Sequence, residues 1–253
     1  HDWQAFHGKK PYEVYRNDES RFLSEFGFQS MPSAKSLAGW MAEPLGAMTL
    51  GMAHRQSCRH GNGYLMERVA DYYRVPVFSE DHWRIVENFV RTAAHRGYNM
   101  LLTPLFTPPL DTAIGTYRRT MQLVDIEKKG ETYTFGFEKL ERWVALCKKY
   151  GIRYYEMAHL FTQWGACATP KIEAVVNGKQ KRIFGWDVPS NAPEYAAFLR
   201  QFLPALVAEL EKLGIKENTY FHISDEPRTE MLEDYYTAKK IVEPHLEGFP
   251  IRD

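Results

Sequence analysis

Two carboxylates stand side by side at Asp225-Glu226, directly after the run Tyr220-Phe221-His222-Ile223-Ser224 and directly before Pro227. The run is apolar and aromatic with two polar residues interleaved, which predicts a short buried strand over 220–224. Proline then ends the ladder and forces a turn. A carboxylate pair at the C-terminal end of a parallel strand stands where barrel enzymes keep their chemistry. Taken alone, capping of the helix that follows is the simpler reading of the same two residues.

The neighbouring strand end carries more polar groups. Arg153 to Phe161 reads as a strand containing Glu156 and His159, and Gln163-Trp164-Gly165 follow it. Each has an ordinary structural role available. Glu156 can pair with a core Arg or Lys, His159 can be a satisfied core histidine, and Trp164 can simply pack. Their convergence with His222, Asp225 and Glu226 on one face favours a site. Glu156 and His159 lie three apart on the expected strand, hence on opposite faces, which argues against a metal centre. Neither a metal nor a cofactor is expected.

The elements that must position these groups follow a repeated order. Ser79 caps a helix near 80–96, with acids in its first turn and an apolar stripe of Trp83, Val86, Val90 and Ala94. Gly97 stops it, and a strand over 98–106 follows. A helix near 137–149 ends at Gly151 before the Glu156 strand. A third near 193–213 ends at Gly214 before the carboxylate strand. A fourth near 229–245 ends around Gly248, and Phe249 to Arg252 begins another strand. Helix, glycine, strand, repeated, predicts βα units and a parallel sheet. Residues 107–135 and 162–190 are long for βα loops, and each is expected to hold a hairpin, at Lys129-Gly130 and at Asn177-Gly178. Long loops on that side of a sheet build substrate sites.

Composition narrows the partner classes. The 253 residues carry 32 basic and 32 acidic side chains, so no basic excess exists to neutralise nucleic acid or an anionic membrane surface. No run approaches a membrane span, and the opening residues do not lead one to expect a signal peptide. The three cysteines, Cys58, Cys147 and Cys167, lack metal-ligand spacing and are odd in number, which makes free thiols in a reducing, cytoplasmic compartment the default. The opening His1-Asp2-Trp3 reads as a cut through a longer protein.

Two family resemblances complete the picture. From about residue 70 to the end, the chain resembles the catalytic domain of glycoside hydrolase family 123 and its uncharacterised relatives. Phe78-Ser79-Glu80-Asp81-His82-Trp83, Thr103-Pro104-Leu105-Phe106-Thr107-Pro108-Pro109-Leu110-Asp111-Thr112, His159-Leu160-Phe161-Thr162-Gln163-Trp164-Gly165-Ala166 and His222-Ile223-Ser224-Asp225-Glu226-Pro227 carry it. The resemblance implies an α/β fold, a (β/α)8 barrel of which four to six strands are recognisable here, and hence an incomplete one. It implies a carbohydrate substrate and β-N-acetylgalactosaminidase activity, with an adjacent Asp-Glu pair at the end of the fourth strand.

Adjacent strand residues diverge, so the pair does not suit a double displacement, which needs two carboxyls about 5–5.5 Å apart. It suits substrate assistance, in which the sugar's own acetamido oxygen attacks the anomeric carbon. Glu226 then protonates the leaving oxygen, with a pKa raised beside the Asp225 charge. The family resemblance implies that Asp225 orients the acetamido group. Trp164 offers a sugar-stacking face, and His222 orders the pair.

Residues 1–76 instead resemble the late barrel part of glycoside hydrolase family 2 β-mannosidases. His1-Asp2-Trp3, Ser24-Glu25-Phe26-Gly27-Phe28-Gln29-Ser30, His54-Arg55-Gln56 and Arg59-His60-Gly61-Asn62 carry that likeness. It implies Glu25 as a nucleophile and Trp3 as part of a sugar site, while the acid/base stretch of that family is missing. The chain thus reads as two family-like segments, 1–76 and 77–253, a chimera. Three functions follow: a substrate-assisted hexosaminidase on Asp225 and Glu226, a non-catalytic carbohydrate-binding fragment, and a β-mannosidase-like enzyme using Glu25.

Overall fold

The computed structural model describes residues 70, 73–95, 97–110, 112–225, 227 and 229–251. All fall within one compact unit, Gly63–Asp253. Trp3, Glu25, Asp111 and Glu226, with the other expectations for residues 1–69, lie outside the described residues.

Helix α1 spans Glu80–His95. The Ser79 hydroxyl accepts the His82 N–H at 3.2 Å, and Glu80 and Asp81 complement the positive end of the helix. His82, Trp83, Val86 and Val90 form its buried stripe. Strand β1 follows at Met100–Thr103. Helix α2 spans Glu138–Lys149 and leads to β4 at Tyr154–Met157. Helix α3 spans Pro193–Lys212 and leads, through a tight turn at Lys216–Asn218, to β7 at Thr219–Tyr220.

Each of these helices ends in the same way. The N–H groups of Gly97, Gly151 and Gly214 reach back to Ala94, Lys148 and Glu211, and those of Tyr98, Ile152 and Ile215 to Ala93, Cys147 and Leu210. This is the Schellman closure, which needs a left-handed residue at its hinge, and the three glycines adopt φ of +92°, +81° and +64°. The glycine therefore both ends the helix and turns the chain into the next strand.

The strands pair in parallel in the order β1-β4-β7, with Leu102 opposite Glu156 and Glu156 opposite Tyr220. A parallel bridge from Phe221 to Ile251 adds the start of a fourth segment, after helix α4 at Leu232–Val242. Thr103, Tyr155, Met157, Phe221 and Ile223 are buried, and the Trp143 indole N–H of α2 donates to the Thr103 hydroxyl at 3.1 Å. Tyr154, Glu156, Tyr220 and His222 alternate with them and are half-buried. Among the described residues the sheet is open, and no closed barrel forms. The expected strands are also shorter in fact: 98–106 contracts to Met100–Thr103, 153–161 to Tyr154–Met157 and 220–224 to Thr219–Tyr220. Pairing lapses where the chain turns toward the loops.

The two long loops hold the expected hairpins, β2 at Asp125–Lys129 with β3 at Thr132–Gly136, and β5 at Ile172–Val176 with β6 at Lys179–Phe184. Asn177 and Gly178 both have positive φ, +52° and +74°, as a two-residue I′ hairpin turn requires. The hairpins join through parallel pairing of β2 and β5 into one sheet ordered β3-β2-β5-β6. The Gln122 side chain fastens the joint, accepting the Glu173 N–H and donating to the carbonyls of Val124 and Glu173.

One face of this sheet packs on α3 through an aromatic cluster of Phe106, Tyr133, Phe135, Phe184, Phe198 and Phe202. At the surface, Asp187 binds the Arg182 guanidinium and accepts the Tyr117 hydroxyl at 2.9 Å, which ties the 112–120 segment to the second hairpin. The Arg182 cation holds the Asp187 carboxyl well below the usual carboxylate range.

Candidate active site

The site lies where the chain leaves β4 and β7. The two segments stay in register beyond their last ladder pairs. The N–H of Leu160 donates to the His222 carbonyl at 3.2 Å, that of Phe161 to Ile223 at 3.1 Å and that of Trp164 to Asp225 at 2.7 Å. Asp225, half-buried, is thereby held against the turn that carries Trp164.

That turn is unusual. Trp164, Gly165 and Ala166 all have positive φ, +61°, +112° and +60°. For a residue with a Cβ this costs about 1–2 kcal/mol each, so other contacts must hold it. Two sets do. Thr162 and Ala168 close the base: the Thr162 N–H donates to the Ala168 carbonyl at 3.0 Å, and the Thr162 hydroxyl accepts the Ala168 N–H at 3.1 Å. The Ser224 hydroxyl, fully buried, fills the centre. It accepts the N–H groups of Gly165 at 3.0 Å and Ala166 at 3.1 Å and donates to the Thr162 carbonyl at 2.9 Å. Gly165 is required for a second reason: a Cβ there would sit 2.3 Å from Met231 Cβ.

Next to the turn, the buried Gln163 donates to the Thr112 carbonyl at 3.1 Å, joining the loop after β1 to the loop after β4. On the half-buried sheet face, Glu156 Oε1 and His222 Nε2 lie 2.6 Å apart, the imidazole N–H donating to the carboxylate. The His159 and His222 rings lie 4.5 Å apart at 32°. The expectation that Glu156 and His159 point apart is therefore corrected. It assumed a strand through Phe161, but β4 ends at Met157, and the turning chain brings His159 onto the ring that Glu156 holds. Among the described residues, Glu156 pairs with a histidine.

The structure thus brings together Glu156, His159 and His222, and separately links Trp164 to Asp225. Sequence reasoning does not single out Ser224 or Thr112. Ser224 had a usable signal, a small hydroxyl in an otherwise apolar buried strand beside two carboxylates. Thr112 had none, because its part is played by a backbone carbonyl.

Among the described residues, no group of three or more His, Cys, Asp or Glu side chains is arranged to hold a metal ion. No helix among them is long and apolar enough to cross a membrane. A groove of about 490 Å³ runs over β2, β3, β5 and β6, lined by Asp125, Glu127, Thr134, Glu138, Glu173 and Gln180 among others. None of the candidate site residues lines it, so the strand ends and not this groove are the candidate site.

Parallel βα units with polar side chains and long loops gathered at one end of the strands define an α/β protein with its candidate site at the strand ends. The model of the glycoside hydrolase 123 catalytic domain matches residues 65–253, and the chain belongs to that family. Among solved structures, it is similar to a family 123 glycoside hydrolase from Clostridium perfringens, whose structural analysis addressed glycolipid glycan hydrolysis. The identity is 16% and the TM-score 0.55, over 72% of this chain and 32% of that one. The chain therefore spans about a third of the length of that relative. No curated protein matches the sequence.

Proposed function

We propose that this chain carries the catalytic pair of a glycoside hydrolase acting on β-linked 2-acetamido sugars by substrate-assisted, retaining hydrolysis. Asp225 orients the acetamido group and stabilises charge on its nitrogen as the carbonyl oxygen attacks the anomeric carbon. Glu226 protonates the leaving oxygen and then accepts a proton from the water that opens the ring formed. Trp164 supplies an aromatic face, and Gln163, His159, Glu156 and His222 surround and order the pair. The single observation that supports this best is the position of Asp225. It lies in the segment that continues from β7 and is bonded through its carbonyl to the Trp164 turn, in a chain that belongs to family 123.

The barrel is part of the proposal. The sequential order β1-β4-β7-Ile251, with helices packed along one face, is what four consecutive units of a (β/α)8 barrel give. The open sheet among the described residues favours a second reading, a chain that binds carbohydrate without turning it over. The division of the chain at residue 76, with Trp3 and Glu25 in a β-mannosidase-like segment, is carried by motif resemblance alone.

A thiazoline that mimics the cyclised acetamido intermediate tests the mechanism. The chain is expected to hydrolyse the 4-nitrophenyl β-glycoside of N-acetylgalactosamine, to be inhibited by the thiazoline, and to lose at least about 100-fold in kcat with Glu226→Gln or Asp225→Asn. Turnover unaffected by either substitution overturns the assignment. Sugar binding without turnover selects the second reading. Loss of activity in Glu25→Gln with Asp225→Asn unaffected selects the β-mannosidase-like route.

A further inference from the structure

We infer that Ser224 is a positioning residue, whose hydroxyl sets the left-handed Trp164-Gly165-Ala166 turn and so fixes Trp164 beside Asp225. The inference rests on the proposed glycosidase reading for its functional half, and on geometry alone for its structural half.

Ser224 is fully buried, and among the described residues its hydroxyl bonds to the backbone of 162–166 at three points. Two of its partners are the consecutive N–H groups of Gly165 and Ala166, which the left-handed run aims at one point. In a buried turn these two donors have no ladder to join, and leaving them unmet costs about 1–3 kcal/mol each. A single acceptor between them makes the strained run the preferred state. The Trp164 N–H is then directed to the Asp225 carbonyl, one residue beyond Ser224. One short stretch of chain beyond β7 thus supplies both the hydroxyl that shapes the turn and the carboxylate that the turn serves. Thr162 and Ala168 close the base of the turn, whereas the N–H groups of Gly165 and Ala166 at its tip go to Ser224.

Two measurements on the full chain test this. The first is amide hydrogen exchange, which needs no activity. Ser224→Ala is expected to speed exchange at Trp164, Gly165 and Ala166 by about tenfold or more while α1 and α2 keep their protection. Unchanged exchange at 164–166 overturns the inference. Ser224→Cys, which keeps size and a weak acceptor, is expected to fall between the two, and it carries the same measurement if the alanine variant does not fold.

The second is a double-mutant cycle on the 4-nitrophenyl glycoside with Trp164→Ala. Ser224→Ala is expected to raise KM more than it lowers kcat, and to add nothing further once Trp164 is gone. Additive effects overturn the functional half. If the wild-type chain turns over no such glycoside, the glycosidase reading fails, and the exchange result still decides whether Ser224 sets the turn.

Discussion

Glu156 Oε1 of strand β4 and His222 Nε2, just beyond the end of β7, lie 2.6 Å apart on the half-buried face of the parallel sheet. The carboxylate is about a third exposed and the imidazole less so, which places the bond between a screened surface pair and a buried one. Glu156→Gln keeps an acceptor for the imidazole N–H and loses the charge assistance. It is expected to cost about 1 kcal/mol in denaturant unfolding. Glu156→Leu is expected to cost more and to shift the His222 ring, read as a changed imidazole NMR signal. Identical stability and an unmoved ring in both variants would remove Glu156 from the site.

Gly165 has two independent reasons to remain glycine. Its φ of +112° disfavours any side chain, and a Cβ would fall 2.3 Å from Met231 Cβ. Backbone cannot yield on both sides, because Ser224 fixes the Gly165 N–H. Gly165→Ala is expected to destabilise by about 2 kcal/mol or more and to reduce turnover of the glycoside. Thermal unfolding and kinetics read the two losses separately. A neutral effect on both would mean that the turn adopts another conformation in solution.

Tyr155 offers a gain. Its ring is buried, its hydroxyl has no hydrogen-bond partner among the described residues, and burial pushes its pKa well above the usual tyrosine value. Tyr155→Phe removes a desolvated hydroxyl and keeps the packing. The expected result is unchanged to about 1 kcal/mol greater stability in urea unfolding. A clear loss would reveal a water or side-chain partner for that hydroxyl.

The two described cysteines are expected to react unlike each other. Burial pushes the Cys147 thiol up to about 12, whereas Cys167 is exposed on the loop after the Trp164 turn. Alkylation requires the thiolate. At pH 8, iodoacetamide followed by peptide mass mapping is expected to label Cys167 in the native protein and Cys147 only after unfolding. Native labelling of Cys147 would show that α2 opens from the sheet.

What could be foreseen from sequence was local. The Gly97, Gly151 and Gly214 stops, the Ser79 cap and the Asn177-Gly178 turn each depend on residues a few positions apart, and all appear as expected. Strand lengths were overestimated because the apolar runs 153–161 and 220–224 continue past the last ladder pair as single crossing bonds. Whether a residue there counts as strand depends on its partner segment. The histidine cluster was misjudged for the same reason, since the turn after Met157 is set by the segment that carries His222. The joining of β2 to β5 was out of reach, because Lys128 and Val176 meet across a whole βα unit. As for the site, Asp225, Trp164 and His222 were legible as chemistry-bearing types near strand ends. The Ser224 contacts that connect them were not.

The junction of the two hairpins has a consequence for a chain as it is synthesised. Strand β2 is made early, yet its second neighbour β5 appears only after α2 and β4 have been completed. Until then the β2–β3 hairpin presents an open edge to whatever else is nearby. Asp125, Glu127, Lys128 and Lys129 crowd that strand with charge, and charge is how an edge is kept from pairing with the wrong partner while it waits for the right one.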